Sequence, residues 1–305
     1  MKKFLDRHNF CFEFIEGNRI PMFYQQEQNT SIATHSTKNG IIPMVDFIPD
    51  YISSHVLIPK KEFGYYEKSY RVGVAMDLKK NSTSNDYLSE VLSTNSFKYL
   101  RRSINRLNRD GEIQLVPYYG FIDAETYHSL FKQLQLFIKS RFNQKKERHA
   151  ALGRWKFYED TLYDLILQKK ASLFVLYDGE KPISISLNYH YDERVLDLAI
   201  NSYDISYQKY SLGRQMIVRQ LEWAYDNNYE LIDLRWGAFS YKVDFSNTKS
   251  KYRTHVFYTR KNIPLQIMAW CTSLGFYCKY YLYNDFLATR AIPKIKALLR
   301  YKPDC

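Results

Sequence analysis

The chain has 305 residues, 45% of them hydrophobic, and carries a formal charge of +12 from 44 Lys and Arg against 32 Asp and Glu. That composition excludes a disordered chain and predicts one large domain or two modest ones, with length enough to bury a core. The excess of cations favours an anionic partner: a phosphorylated cofactor, a nucleic acid or a membrane surface.

The start, MKKFLDRHNF, is basic, but Asp6, Arg7 and His8 interrupt any apolar signal region. Residues 1 to about 96 alternate short apolar runs, such as Val56-Leu57-Ile58, with Pro, Gly and Asn; Arg71–Leu78 is the clearest strand there. Lys80–Asp86 (KNSTSND) predicts a loop that caps a helix.

Phe97–Asp110 predicts a helix, because Leu100, Ile104 and Leu107 recur at helical spacing and Gly111 follows as a stop. Lys98, Arg101, Arg102, Arg106 and Arg109 occupy its other positions. They read either as a solvated basic face or as a helix turned toward an anion. Glu112–Val116 is a short strand, Asp123 the N-cap of a helix to about Ser140, and Lys156–Lys169 a further helix. Ser172–Tyr177, Lys181–Tyr189 and Arg194–Asn201 then form an antiparallel meander, with turns at Asp178-Gly179 and Asp192-Glu193. A helix over Leu212–Tyr225, a strand over Leu231–Trp236 and a strand over Thr254–Thr259 complete the pattern.

Beyond Pro264 the chain is helical and aromatic, and it is expected to pack on the domain surface, with peripheral membrane contact as the alternative. No apolar run reaches the roughly 18 residues of a spanning helix, so a reducing cytoplasm is the expected compartment. Cys11, Cys271, Cys278 and Cys305 make no Cys-x-x-Cys pair and no zinc spacing, and no metal is expected. Cys271 and Cys278 lie seven apart and are expected to be buried on one helix face.

The chemistry concentrates in Asn201–Asn247. A strand, a short loop and a helix start make an anion site, because free N–H groups and the positive helix end face the loop. Ser211, Leu212 and Gly213 open that helix, and Gly213 lets the backbone approach a ligand. Gln208, Lys209 and Arg214 are candidate phosphate donors. Asp204 either accepts a proton and orients an amine, or caps its own loop. Tyr203 and Tyr207 are candidate acids. Asp233 and Arg235 share a strand face by period two and are candidates for a structural ion pair.

The ordered set Tyr203-Asp204, Ser211-Leu212-Gly213, Asp233, Gly237 and Tyr241-Lys242 resembles the GNAT acyltransferase superfamily, in the CelD/BioF-like and Fem-type branch. The likeness covers about 97–250. Leu212 stands where proline is common, and of the usual phosphate loop only Gly213 is present, with Gln208 five residues before it. The resemblance implies an α/β fold: a mixed, mostly antiparallel sheet flanked by helices, in two GNAT-like halves. Residues 1–115 would be a degenerate first half, 116–262 the acyltransferase half and 263–305 a helical tail.

The implied activity is transfer of an acyl group from acetyl-CoA or another acyl-CoA to an amine or hydroxyl. The acceptor would be a small-molecule, glycan or lipid-linked precursor of the cell envelope or of a polysaccharide. Lys242 is the implied catalytic residue, holding a developing oxyanion or an acceptor phosphate, with Tyr241 positioning it. Aminoacyl-tRNA-dependent peptidyl transfer is the alternative, and the only route to a nucleic-acid partner. Fem-type chains often carry a long helical hairpin, and no coiled-coil segment is legible here. A non-catalytic GNAT-like binding module is a third reading; loss of Lys242 or of the Gly213 loop would have favoured it.

Overall fold

The computed structural model describes residues 10–16, 23–25, 42–144, 149–236 and 240–281. Its strands are β1 (Phe10–Phe14), β2 (Ile42–Pro49), β3 (Phe63–Asp77), β4 (Ile113–Tyr118), β5 (Ala171–Asp178), β6 (Lys181–Tyr191), β7 (Val195–Tyr203), β8 (Leu231–Trp236) and β9 (Thr248–Thr259). Its α-helices are α1 (Ser84–Val91), α2 (Thr94–Asp110), α3 (Ala124–Gln144), α4 (Trp155–Leu167), α5 (Leu212–Asp226), α6 (Ser240–Phe245) and α7 (Ile263–Tyr281). The fold is mixed α/β, with mostly antiparallel strands flanked by helices. No described helix is long and apolar enough to cross a membrane.

The described residues form two compact units: one of Gly73–Lys249 without 145–148 and 237–239, the other of the described residues up to Val72 together with 250–281. In the Gly73–Lys249 unit the strand order is β3-β8-β7-β6-β5-β4. Every neighbouring pair is antiparallel except β7 with β8. A parallel pair needs a crossover, and α5 supplies it. Local chemistry sets the ends of these elements. Thr83 caps α1, Ser93 caps α2 and the Asp123 carboxylate receives the Thr126 N–H at 2.8 Å. Asp192 and Glu193, with φ of 51° and 52°, make the β6–β7 turn, and Asn228 in the same region ends α5. Gly111 stops α2 for a different reason from a left-handed cap. Its φ is −158°, and a Cβ there would lie 2.5 Å from the Asp178 carboxylate, which receives the Glu112 N–H.

The sequence alternation in β6 implies one buried face, yet all positions from Ile183 to Tyr191 are buried. Helices therefore cover both faces. Ile185 and Leu187 pair with Val175 and Leu173. Ser186 and Asn188 lie under α5, where the Gln220 amide donates to both at 2.8 and 2.9 Å. Asn188 donates to Ser172, whose hydroxyl bonds His190 Nε2 at 2.8 Å, while His190 Nδ1 meets the Tyr229 hydroxyl at 2.7 Å. Around this polar thread lie two apolar groups. Ile217, Leu221 and Ala224 of α5 pack with Leu100, Leu196 and Ile232; Leu212 and Met216 pack with Leu107, Phe174 and Leu176.

In the other unit the strand order is β1-β2-β9-β3. Asp46 is buried between the Arg71 guanidinium and the Thr254 hydroxyl. His255 joins the Tyr24 hydroxyl (2.6 Å) to Glu67 (2.8 Å) under the stacked ring of Tyr65. Helix α7 is capped by Asn262 and packs through Met268, Ala269 and Phe276 on Ile42, Met44 and Val256. The expectation that Cys271 and Cys278 are buried is overturned: both are exposed, because they lie on the side of α7 away from Ala269. The tail beyond Tyr281 lies outside the described residues.

Burial holds three imidazoles below their ordinary value: His149 and His255 at about 4 and His190 at about 3. Below the ordinary value of about 6.5 the unfolded chain binds protons that the folded chain refuses. Stability should therefore fall as the pH drops from about 6.5 toward 4. Urea midpoints measured at neutral and mildly acidic pH check this, and equal midpoints would refute it.

Candidate active site

The parallel pair β7–β8 is short. Val195 pairs with Leu231, Leu196 with Ile232 and Asp197 with Asp233, and there the ladder stops. β7 nevertheless runs on to Tyr203 and β8 to Trp236. The cause is Arg235, which takes a left-handed φ of 63° inside a strand, a costly conformation for a non-glycine residue. Two contacts stabilise it. Its N–H donates to the Asp233 carboxylate at 2.8 Å, and its guanidinium forks onto both oxygens of Asp197 at 2.6 and 2.7 Å. The Arg235 guanidinium thus reaches across to the neighbouring strand, and its backbone N–H meets Asp233, the residue with which period two groups it.

Lys242, on α6, comes back to this point. Its ammonium donates to the Leu234 carbonyl at 2.6 Å. Burial, aided by the Arg235 charge, pulls it down to about 8, against the opposing pull of Asp233 and Asp197. A lysine near 8 exchanges its proton readily around neutral pH. Helix α6 is tied to the first turn of α5 by Arg214, which pairs with Asp244 at 2.8 Å and lies over the Phe245 ring. Arg214 is therefore a link between helices as well as a candidate phosphate donor. Tyr241 is exposed beside Lys242. Gly237 lies outside the described residues.

At the far end of β7, Tyr203 carries the Arg141 guanidinium over its ring at 4.7 Å. Asp204 caps the short helical turn 205–210, accepting from the Ser206 N–H and hydroxyl, and pairs with Lys181 at 2.7 Å. Burial works against its charge, but Lys181 and the Ser206 donors hold it below the ordinary carboxylate range. Asp204 thus sits at the β6 start, apart from Lys242. Gln208 is exposed, and its carbonyl receives the Ser211 N–H. Ser211 has a left-handed φ of 56° and its hydroxyl meets Tyr99 of α2 at 3.0 Å instead of capping α5. The Leu212 side chain is fully buried in the core. A Cβ on Gly213 would meet only the Tyr203 ring, at 3.6 Å, so packing does not require glycine there.

Helix α2 reaches the same turn. Ser103 donates to the Tyr210 carbonyl at 2.6 Å and Gln215 to the same oxygen at 2.8 Å. Arg106 and Lys209 both lie over the Tyr210 ring, while Lys98 and Arg102 are exposed along α2. Sequence reasoning missed Asp197 and Arg141. The signal for Asp197 is a lone acid in an otherwise apolar strand, LDLAI; nothing local singles out Arg141. Among the described residues no cluster of His, Cys, Asp and Glu could hold a metal.

Residues 94–243 match the family model described as the acetyltransferase (GNAT) domain. This segment is a GNAT domain. The match runs from α2 to Val243 and so takes in the parted strands, the α5 start and Lys242. No curated protein matches the sequence. Among solved structures the chain is similar to FemX, at 9% identity, with 75% of this chain and 74% of that one covered and a TM-score of 0.48. It is similar to a conserved protein of Bacteroides thetaiotaomicron at 11% identity, covering 72% and 70%, with a TM-score of 0.45. A tandem GNAT protein from the clavulanic acid biosynthesis pathway aligns at 9% identity over 70% and 63%, with a TM-score of 0.35.

Removing the partner of a buried charge leaves it uncompensated and costs about 3–5 kcal/mol. Asp197→Ala should lower thermal stability by less than that, because a quarter of the Arg235 side chain reaches water, but measurably, because Arg235 loses the contact that holds its left-handed backbone. A melt within a degree or so of the parent would show that the fork does not hold the strands apart.

Proposed function

We propose that the chain transfers an acyl group from acyl-CoA, acetyl-CoA being the simplest, to an amine or hydroxyl of a cell-envelope or polysaccharide precursor in the cytoplasm. The observation that carries this is the early end of the β7–β8 ladder with Lys242 behind it, inside a GNAT domain. Strand edges without a neighbour offer backbone donors and acceptors to an extended amide-bearing arm, as in strand addition. The α5 start, with Gly213 and the cations of α2, suits the phosphates.

In the reaction the acceptor lone pair attacks the thioester carbonyl, the C–S bond breaks, and the acceptor loses a proton while the thiolate gains one. No enzyme-bound intermediate is needed. Protonated Lys242 is assigned the donor role toward the developing oxyanion and the leaving thiolate. Its value near 8 is close to that of an ordinary thiol, about 8.5, so proton delivery to the leaving group is nearly balanced. Tyr241, next to Lys242, and Tyr203, under the Arg141 guanidinium, are assigned positioning roles. Asp204, held low by Lys181 and apart from Lys242, is a poor base, so the acceptor's proton leaves through water before the lone pair attacks.

A second reading, aminoacyl transfer from tRNA, draws on one observation: the exposed cations of α2 beside the α5 start suit a nucleic-acid backbone. Thermal shift with a panel of acyl-CoAs set against aminoacyl-tRNA separates the two. A ligand at a hundred times its Kd adds about 2.7 kcal/mol. Stabilisation by acyl-CoA alone is the expected outcome; stabilisation by aminoacyl-tRNA alone would replace the first reading with the second.

Lys242 gives the matching kinetic test. With Lys242 as the donor, kcat should fall as the pH rises past about 8, since the neutral amine is not an ammonium donor. Lys242→Met should lose roughly a hundredfold or more in kcat. Lys242→Arg, which keeps its charge, should move the falling limb to higher pH. Full turnover by the Met variant would remove Lys242 from the mechanism.

A further inference from the structure

Helix α7 buries the less apolar of its two sides. Ala269, Ser273, Met268 and Phe276 face the unit to which the helix belongs. The opposite side exposes Ile263 (67%), Ile267 (59%), Trp270 (52%), Leu274 (39%) and Tyr277 (38%). These stand at i, i+4, i+7, i+11 and i+14, one continuous stripe along the helix. A contiguous apolar patch of this kind on a folded protein marks an interaction surface.

The charge around the stripe says which kind. The helix sequence Ile263–Tyr281 contains no Asp or Glu. At its start stand Arg260 and Lys261, and Arg260 bonds the carbonyls of Glu62 and Phe63, next to Lys60 and Lys61. Four cations thus meet the single acid Glu62 at that end. Lys68 lies over the Tyr277 ring at 5.5 Å toward the other end.

We propose that α7 lies flat on an anionic lipid bilayer, with Ile263, Ile267, Trp270 and Leu274 entering the headgroup–acyl boundary and the flanking lysines and arginines meeting lipid phosphates. Apolar burial and attraction to anionic lipid add in such a helix. Trp270 and Tyr277 suit the boundary, where a ring is buried and its polar edge stays wet. A second copy of the chain fits less well. Two stripes brought together by a two-fold axis would juxtapose like charges, and the flanking residues Pro264, Gln266, Cys271 and Gly275 offer no opposite charges to set a register. Helix α7 is not apolar enough to span, so it lies on the surface.

The test uses the full chain and vesicle flotation, with phosphatidylcholine alone and with phosphatidylglycerol added. The chain should float with the mixed vesicles and much less with phosphatidylcholine, and salt should weaken the binding. Ile267→Asp with Trp270→Asp should cut partitioning about tenfold or more, while an unchanged circular dichroism melt shows the fold intact. Trp270→Ser is the milder variant and should weaken binding in the same direction. Equal flotation of parent and both variants overturns the proposal, as does a dimer in solution that the double variant breaks without any vesicle binding by the parent.

Discussion

The fork between Arg235 and Asp197 is the contact on which the GNAT segment depends. A parallel ladder once begun gains by continuing, since each further rung satisfies backbone groups that are otherwise costly to bury. Here it stops after three rungs because Arg235 is turned left-handed and held there from both sides, by the Asp233 carboxylate on its N–H and by Asp197 on its side chain. Two strands that share a sheet therefore diverge within it. The helix that connects them starts at the open end, and the lysine of α6 closes on the strand at the point of divergence. Ladder, helix start and lysine are consequences of one strained residue.

Electrostatics follow the same geometry. Asp197, Asp233, Arg235 and Lys242 bring two acids and two bases into a region with little water. Neither sign is left in excess, and the group that yields is the lysine, because an ammonium loses hydration on burial while Arg235 keeps its proton under any ordinary condition. The many other cations do not share this environment. Those of α2 stay in water, where they shape the surrounding field.

Much of this was legible in the sequence. The meander, α5 and β8 were readable because their alternation and helical spacing are enforced by burial, and their turns by Asp178-Gly179, Asp192-Glu193 and Asn227-Asn228. The GNAT domain was readable from the ordered motif around Ser211–Gly213 and Lys242. What was not legible depends on contacts distant in sequence. The reach of Arg235 across to Asp197 is one such contact, since period two describes a strand only while φ stays negative. Ser186, Asn188 and His190 fall on the β6 face opposite Ile183, Ile185 and Leu187, and alternation alone does not say that a helix covers that face too. Cys271 and Cys278 were expected inside because apolar residues usually are, and α7 inverts that rule.

The thread of polar side chains beneath α5 has a consequence of its own. An apolar helix on an apolar sheet can creep by a fraction of a turn at little cost, because grease matches grease at many settings. Gln220 meets Ser186 and Asn188 at one setting only, and sliding would strand buried amide and hydroxyl groups. The thread works as an indexing pin. It fixes how far the first turn of α5 projects beyond the sheet, and so sets the distance between Gly213 and the end of the β7–β8 ladder to within a hydrogen bond's tolerance. On the acyl-transfer reading proposed above, a long donor held at one end and reacting at the other would gain from having that span set by the core.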